Sequence, residues 1–127
     1  MSLRTPLGRV LGHGSAKEGV SHWWLQRVSS VALVPLTLWF IFALLGLPAF
    51  DYATVRGWMG GGWTPVFLVL LVGTLSYHSW LGVQVVIEDY VHTKARKVAA
   101  LTGSSFLHAI VGAASVFAVL KIAFQGA

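Results

Sequence analysis

The amino-acid sequence predicts an all-α integral membrane protein of three transmembrane helices, and composition, the length of the apolar runs and the placement of the cations carry that reading. Hydrophobic residues make up 56% of the 127 positions and charged ones only 10%, with a mean hydropathy of +0.74. A soluble domain of this size does not tolerate so much apolar surface, so the solvent is largely lipid. Crossing a hydrocarbon core of about 30 Å takes roughly 20 helical residues. Residues 1–127 therefore read as a single membrane domain of three crossings with short connections and no room for a soluble catalytic unit.

The first span is expected over about 25–47, an apolar stretch that carries Pro35 and ends at Gly46 and Pro48. Proline is tolerated inside a membrane helix and is expected to kink it. Residues Ala49 to Trp63, with Asp51, Arg56 and the run Gly60-Gly61-Gly62, read as an external loop. The second span is expected over about 64–90, opening with Pro65 in its first turn, where the missing N–H has no intrahelical partner to lose. His92 to Lys97 reads as a short basic turn, and the third span as about 98–124. Trp23 and Trp24 at one boundary, with Trp58 and Trp63 at the other, suit the headgroup belts where indole is enriched. On the third span Ser105, Ala109 and Ala113 recur every four residues, with Gly112 and Ser115 nearby. Such a small-residue stripe signals close helix packing rather than chemistry.

The formal net charge is +5 and the isoelectric point near 10.1, yet the cations form no stripe that would follow a nucleic-acid groove. They sort by membrane side. Arg4, Arg9, Lys17, Arg27, Lys94, Arg96 and Lys97 fall on one side, Arg56 and Lys121 on the other. Seven against two is the cytoplasmic excess of a polytopic protein, which predicts a cytoplasmic N-terminus and a periplasmic C-terminus. The first twenty residues lack a continuous apolar core, so they do not read as a cleavable signal or an evident transit peptide. A multi-pass protein of a bacterial inner (cytoplasmic) membrane is the expected setting.

With cysteine absent, structural disulfides, iron–sulfur clusters and thiolate zinc sites are excluded within this chain, and histidine becomes the leading metal-ligand candidate. Polar groups at lipid depth are costly and usually functional, so the residues that interrupt the spans are the informative ones. His78 precedes Tyr90 by twelve residues, about 18 Å along a helix, which sets it near mid-membrane when Tyr90 marks the inner interface. Neutral imidazole at that depth suits the axial position of haem iron. Gly82 lies one turn further along the same face, where a missing side chain admits a flat macrocycle. A hydrogen bond to a neighbouring helix accounts for such a histidine equally well. His108 on the third span offers a second imidazole at comparable depth, so a haem ligated by His78 and His108 within one chain stands open beside one that borrows its second ligand from a partner.

At the inner end of the second span, the Tyr90 phenol is suited to donate to a quinone carbonyl, and the Asp89 carboxylate to relay protons. Interfacial anchoring of Tyr90 and pairing of Glu88 and Asp89 with the basic turn explain the same residues without chemistry. Arg27 near the inner boundary is suited to neutralise an anionic group such as a haem propionate, and snorkelling to lipid phosphate is the plainer alternative. His22 stands in the same polar layer.

Gly19-Val20 followed by Arg27, then the run His78-Ser79-Trp80-Leu81-Gly82, then Asp89-Tyr90, resemble the SdhD-type hydrophobic membrane anchor of succinate dehydrogenase (respiratory complex II), over most of the chain. The resemblance implies a haem b shared with an SdhC-type cytochrome b anchor subunit, each chain giving one histidine, with His78 as this chain's ligand to the iron. It implies Tyr90 at the quinone head group, Asp89 as its acidic neighbour and Arg27 close to the haem and quinone region. It gives His108 no cofactor role and His22 only an accessory one. It further implies ubiquinone or menaquinone as substrate, with FAD on a partner flavoprotein and the iron–sulfur clusters on a partner iron–sulfur subunit. Succinate oxidation then belongs to the flavoprotein, and this chain contributes no catalytic residue to it. A b-type cytochrome subunit of another quinone-linked dehydrogenase is the alternative from the same chemistry, and a cofactor-free three-span structural protein the alternative from another class.

Overall fold

The computed structural model describes residues 5–10 and 19–125. Five helices account for nearly all of them: α1 (Pro6–Val10), α2 (Gly19–Leu45), α3 (Tyr52–Gly60), α4 (Thr64–Tyr90) and α5 (Lys94–Phe124), with no strand among the described residues. The 27, 27 and 31 residues of α2, α4 and α5 correspond to about 40 to 46 Å each, enough to cross a bilayer with its interfaces. All three are long and apolar enough to span a membrane.

The helices form an open layer. α2 and α5 each pack on α4, and the two flanking helices make no close backbone approach to one another. The central position of α4 explains where burial falls. Leu68, Leu71 and Leu81 of α4 are buried, with Val119 of α5, whereas large apolar side chains such as Val31, Phe42, Phe106 and Phe117 remain exposed. In water that surface would be untenable; in lipid it is the expected outer face.

Helix boundaries follow local chemistry. Pro35 lies within α2, which continues on both sides of it. α2 closes where the Gly46 N–H bonds the Phe42 carbonyl and the Leu47 N–H the Leu44 carbonyl. It begins six residues before the expected start, because Gly19 to Trp24 contain no breaker and extend the same helix into the interface. α4 opens on Pro65 as expected and ends at Tyr90, where Val91 turns extended.

Two expectations are corrected. The stretch Ala49 to Trp63 is not loop throughout: it contains α3. Asp51 caps that helix, its carboxylate accepting from the Thr54 hydroxyl at 2.7 Å and the Thr54 N–H at 3.0 Å. Those two bonds, the hydroxyl's foremost, hold the Asp51 carboxyl below the usual carboxylate range. Gly62, at φ +53, then makes the left-handed turn into α4. Likewise, the third long helix begins at Lys94, not Val98, so Lys94, Arg96 and Lys97 form its first turns. Cations are disfavoured by the dipole there, but the Lys97 ammonium reaches back 2.7 Å to the Glu88 carbonyl, one of the acceptors left unpaired by the end of α4.

At the opposite end of the layer, Trp39 of α2 stacks on Phe67 of α4 (centroids 4.8 Å apart) and on Trp58 of α3 (6.3 Å). Trp58 is thus packed into an aromatic cluster that ties α3 to α2 and α4, while Trp63 stays exposed. Between α4 and α5 the packing is tight at Gly112, where an added Cβ would lie 3.2 Å from Ser76 Oγ. Ser105, Ala109 and Ala113 line the adjoining groove, and Ser105 accepts from the Trp80 indole N–H at 3.0 Å. Gly112 and Ser105 of the small-residue stripe thus meet α4, whereas Ala109 and Ala113 are exposed.

Candidate functional site: a polar seam between α2 and α4

Helical spacing gathers the polar side chains of α2 on one face. Gln26, Ser29 and Ser30 stand at i, i+3 and i+4, with His22 one turn earlier, so all four fall on the stripe turned to α4. His78 meets that stripe from α4. Its Nδ1 lies 3.0 Å from Ser29 Oγ and its Nε2 lies 3.4 Å from the Gln26 side-chain amide nitrogen. Ser29 is only 6% exposed, so its hydroxyl is removed from both water and headgroups.

The Gln26 main-chain carbonyl lies 3.0 Å from the Ser29 hydroxyl and accepts from the Ser30 hydroxyl at 2.8 Å. With the single Ser29 proton on that carbonyl, Ser29 Oγ accepts from Nδ1–H of His78, the tautomer whose lone pair is on Nε2, toward Gln26. The Gln26 amide contact at 3.4 Å lies beyond the usual hydrogen-bond range, so Nε2 is weakly engaged. Nearby, Gln26 Oε1 and His22 Nε2 are buried with no hydrogen-bond partner among the described residues. Buried polar atoms without partners are costly, and here both belong to the polar stripe of α2. Gly82 adjoins the same amide: a Cβ there would stand 3.6 Å from Gln26 Nε2, an ordinary contact distance.

Depth is fixed by the packing register. His78 lies eleven residues, about 16 Å, from Phe67 in the aromatic cluster and twelve residues, about 18 Å, from Tyr90. The seam is therefore central in the layer. Arg27 is adjacent in sequence to Gln26 and so within about one turn of the His78 level, but a neighbour in a helix points about 100° away. Its guanidinium is exposed and stands 5.5 Å from the Trp23 ring centroid. Asp89, eleven residues beyond His78, falls on nearly the same face of α4, whereas Tyr90 turns away from it; both are exposed, Tyr90 by 80%. Glu88 accepts from the Gln84 amide at 3.1 Å, and Gln84, Glu88 and His22 border a cavity of about 430 Å³ beside the seam.

His108 belongs to a different contact. Its Nε2 lies 3.1 Å from Ser79 Oγ, and its Nδ1 lies 2.8 Å from the Ser104 carbonyl on the previous turn of α5, so both ring nitrogens are engaged at the α4–α5 interface. The two mid-depth imidazoles are thus held on opposite flanks of α4. No three His, Asp or Glu side chains converge among the described residues. Gln26 and Ser29 are the functional candidates that sequence reasoning missed; their spacing shows a face shared with His22, but not that this face meets His78.

Three helices long and apolar enough to cross a membrane, with a polar seam between two of them, define a multi-span membrane protein. The family model for the succinate dehydrogenase/fumarate reductase transmembrane subunit matches residues 1–121. The chain belongs to that family, as a membrane anchor subunit of succinate dehydrogenase. It is 35% identical over 88 residues to the succinate dehydrogenase hydrophobic membrane anchor subunit of Rickettsia bellii, covering 69% of this chain and 70% of that one. It is 30% identical to the subunit of the same description from Paracoccus denitrificans, over 93% of this chain and 91% of the relative. With that of Rickettsia conorii the identity is 38%, over 61% of this chain and 63% of the relative. No solved structure matches the chain.

Proposed function

We propose that the chain helps to hold a b-type haem through His78 and to form the site where quinone takes electrons derived from succinate. The observation that carries this reading is the setting of His78: its Nδ1 lies 3.0 Å from Ser29 Oγ and its Nε2 only 3.4 Å from the Gln26 amide, so that a proton on Nδ1 leaves Nε2 the lone pair an imidazole needs to ligate iron. The residues fit the group in two further respects. Gln26 Oε1 and His22 Nε2 have buried valences to satisfy, and Gly82 presents no side chain beside the Gln26 amide. The haem, when bound, supplies a one-electron store beside the route from the iron–sulfur clusters to quinone. Arg27, near the His78 level and exposed, suits a propionate better than a quinone some 18 Å nearer the inner end of α4. Since His108 is committed to Ser79 and Ser104, the second axial ligand comes in this reading from an SdhC-type partner anchor.

Tyr90 and Asp89 carry the quinone half of the proposal. Their exposure at the end of α4 leaves both free to meet partner subunits and a lipophilic substrate. The phenol donates to a quinone carbonyl, and the carboxylate delivers protons from the cytoplasmic side. Ubiquinone or menaquinone is the substrate in this reading, a flavoprotein with FAD oxidises succinate, and an iron–sulfur subunit connects the two. Replacing Tyr90 by Phe is expected to lower succinate:quinone reductase activity at least tenfold, within the range for loss of a positioned proton donor. Succinate oxidation by a water-soluble artificial acceptor should persist. Equal loss of both activities contradicts the assignment.

The seven-to-two cation asymmetry supports a cytoplasmic N-terminus and a periplasmic C-terminus in a bacterial inner membrane. A phosphatase that folds only in the periplasm, fused after residue 127, should be active. An inactive but stable C-terminal fusion reverses the orientation.

A further inference from the structure

We infer that Ser29 is the positioning residue of His78: its hydroxyl oxygen, by accepting Nδ1–H, fixes the ring so that Nε2 is the ligating atom. The inference rests on the reading of His78 as a haem ligand and adds a residue to which no role has been given. Three observations carry it. Ser29 Oγ stands 3.0 Å from Nδ1. The same hydroxyl has the Gln26 carbonyl within donating distance at 3.0 Å, an arrangement in which it presents lone pairs, not its proton, to the imidazole. Ser29 is also buried, at 6% exposure, so neither water nor a headgroup competes for that bond.

The chain from His78 Nδ1–H through Ser29 Oγ to the Gln26 carbonyl does what an outer-shell acceptor does for a metal-bound histidine. It selects the tautomer, fixes ring rotation and makes Nε2 a richer donor. A richer donor favours the oxidised iron, so removing the acceptor shifts the haem midpoint potential upward. Gln26 then has a separate part: its side-chain amide occupies the ligating edge of the ring at 3.4 Å and must turn aside when iron binds, leaving Oε1 to find a partner.

The test uses the intact detergent-solubilised complex carrying Ser29→Ala, and the matched pair Ser29→Thr and Ser29→Val, which share a shape and differ by the hydroxyl. Redox titration of the b-type bands and the rate of haem loss to apomyoglobin are the readouts. Ser29→Ala and Ser29→Val should raise the midpoint potential and weaken haem retention about 10–100-fold, the usual effect of losing an outer-shell partner, while Ser29→Thr keeps both near the parent. Parent-like potential and retention in Ser29→Ala overturn the inference, as does Ser29→Thr behaving like Ser29→Val, which would mark a packing role. Absence of b-type bands from the parent complex sinks the haem reading itself, a result separate from either.

Discussion

At the scale of single residues, the contrast between Arg27 and Ser29 is instructive. They are two positions apart, so about 200° of helical rotation separates them, and one is exposed over Trp23 while the other is sealed against His78. His78 was legible in the sequence because an imidazole interrupting an apolar run has few cheap explanations. Ser29 and Gln26 were overlooked because their significance depends on the register of α2 against α4, which no local pattern encodes. The two-histidine question has the same origin. Counting residues from the inner turn gives His78 and His108 similar depths, but only packing decides that they lie on opposite flanks of α4, with His108 satisfied by Ser79 and Ser104. His108→Ala should therefore leave the b-type difference spectrum of the complex unchanged in intensity; its disappearance would mean that both ligands come from this chain.

At the scale of elements, the second span was read to the residue because Pro65 and the inner polar end punctuate it clearly. α3 escaped because Asp51, Arg56 and three consecutive glycines suggest loop, whereas Asp51 followed three residues later by Thr54 is a capping arrangement that starts a helix. The start of α5 was displaced because a cluster of cations reads as a turn, although Lys and Arg are good helix formers and Lys97 can serve the end of α4. The contact between α4 and α5 gives a graded expectation. At Gly112, alanine gains up to about 1 kcal/mol of helix propensity against a 3.2 Å approach to Ser76, so the change should be near neutral. Gly112→Leu overpacks the site and should cost about 1–3 kcal/mol, lowering the thermal midpoint of the purified complex. Gly73, whose added Cβ would meet nothing within 4 Å, is the control: Gly73→Ala should not lower the midpoint. Equal effects of Gly112→Leu and Gly73→Ala would contradict the packing at Ser76.

At the scale of the whole molecule, three helices in an open layer bury very few of their own side chains and leave apolar surface on both faces. Composition and span length made that much legible, since a chain of this hydropathy has no use for a core of its own. What they could not supply is the seam, a property of how α2 lies on α4. The account's central claim is that the His78 imidazole binds haem iron within a succinate-oxidising assembly. It is tested most directly by the reduced-minus-oxidised spectrum of the complex isolated through a tag on this chain, parent against His78→Ala. The account predicts b-type bands in the parent and their loss in the variant, with a flavoprotein still copurifying. Bands of full intensity in His78→Ala would contradict it.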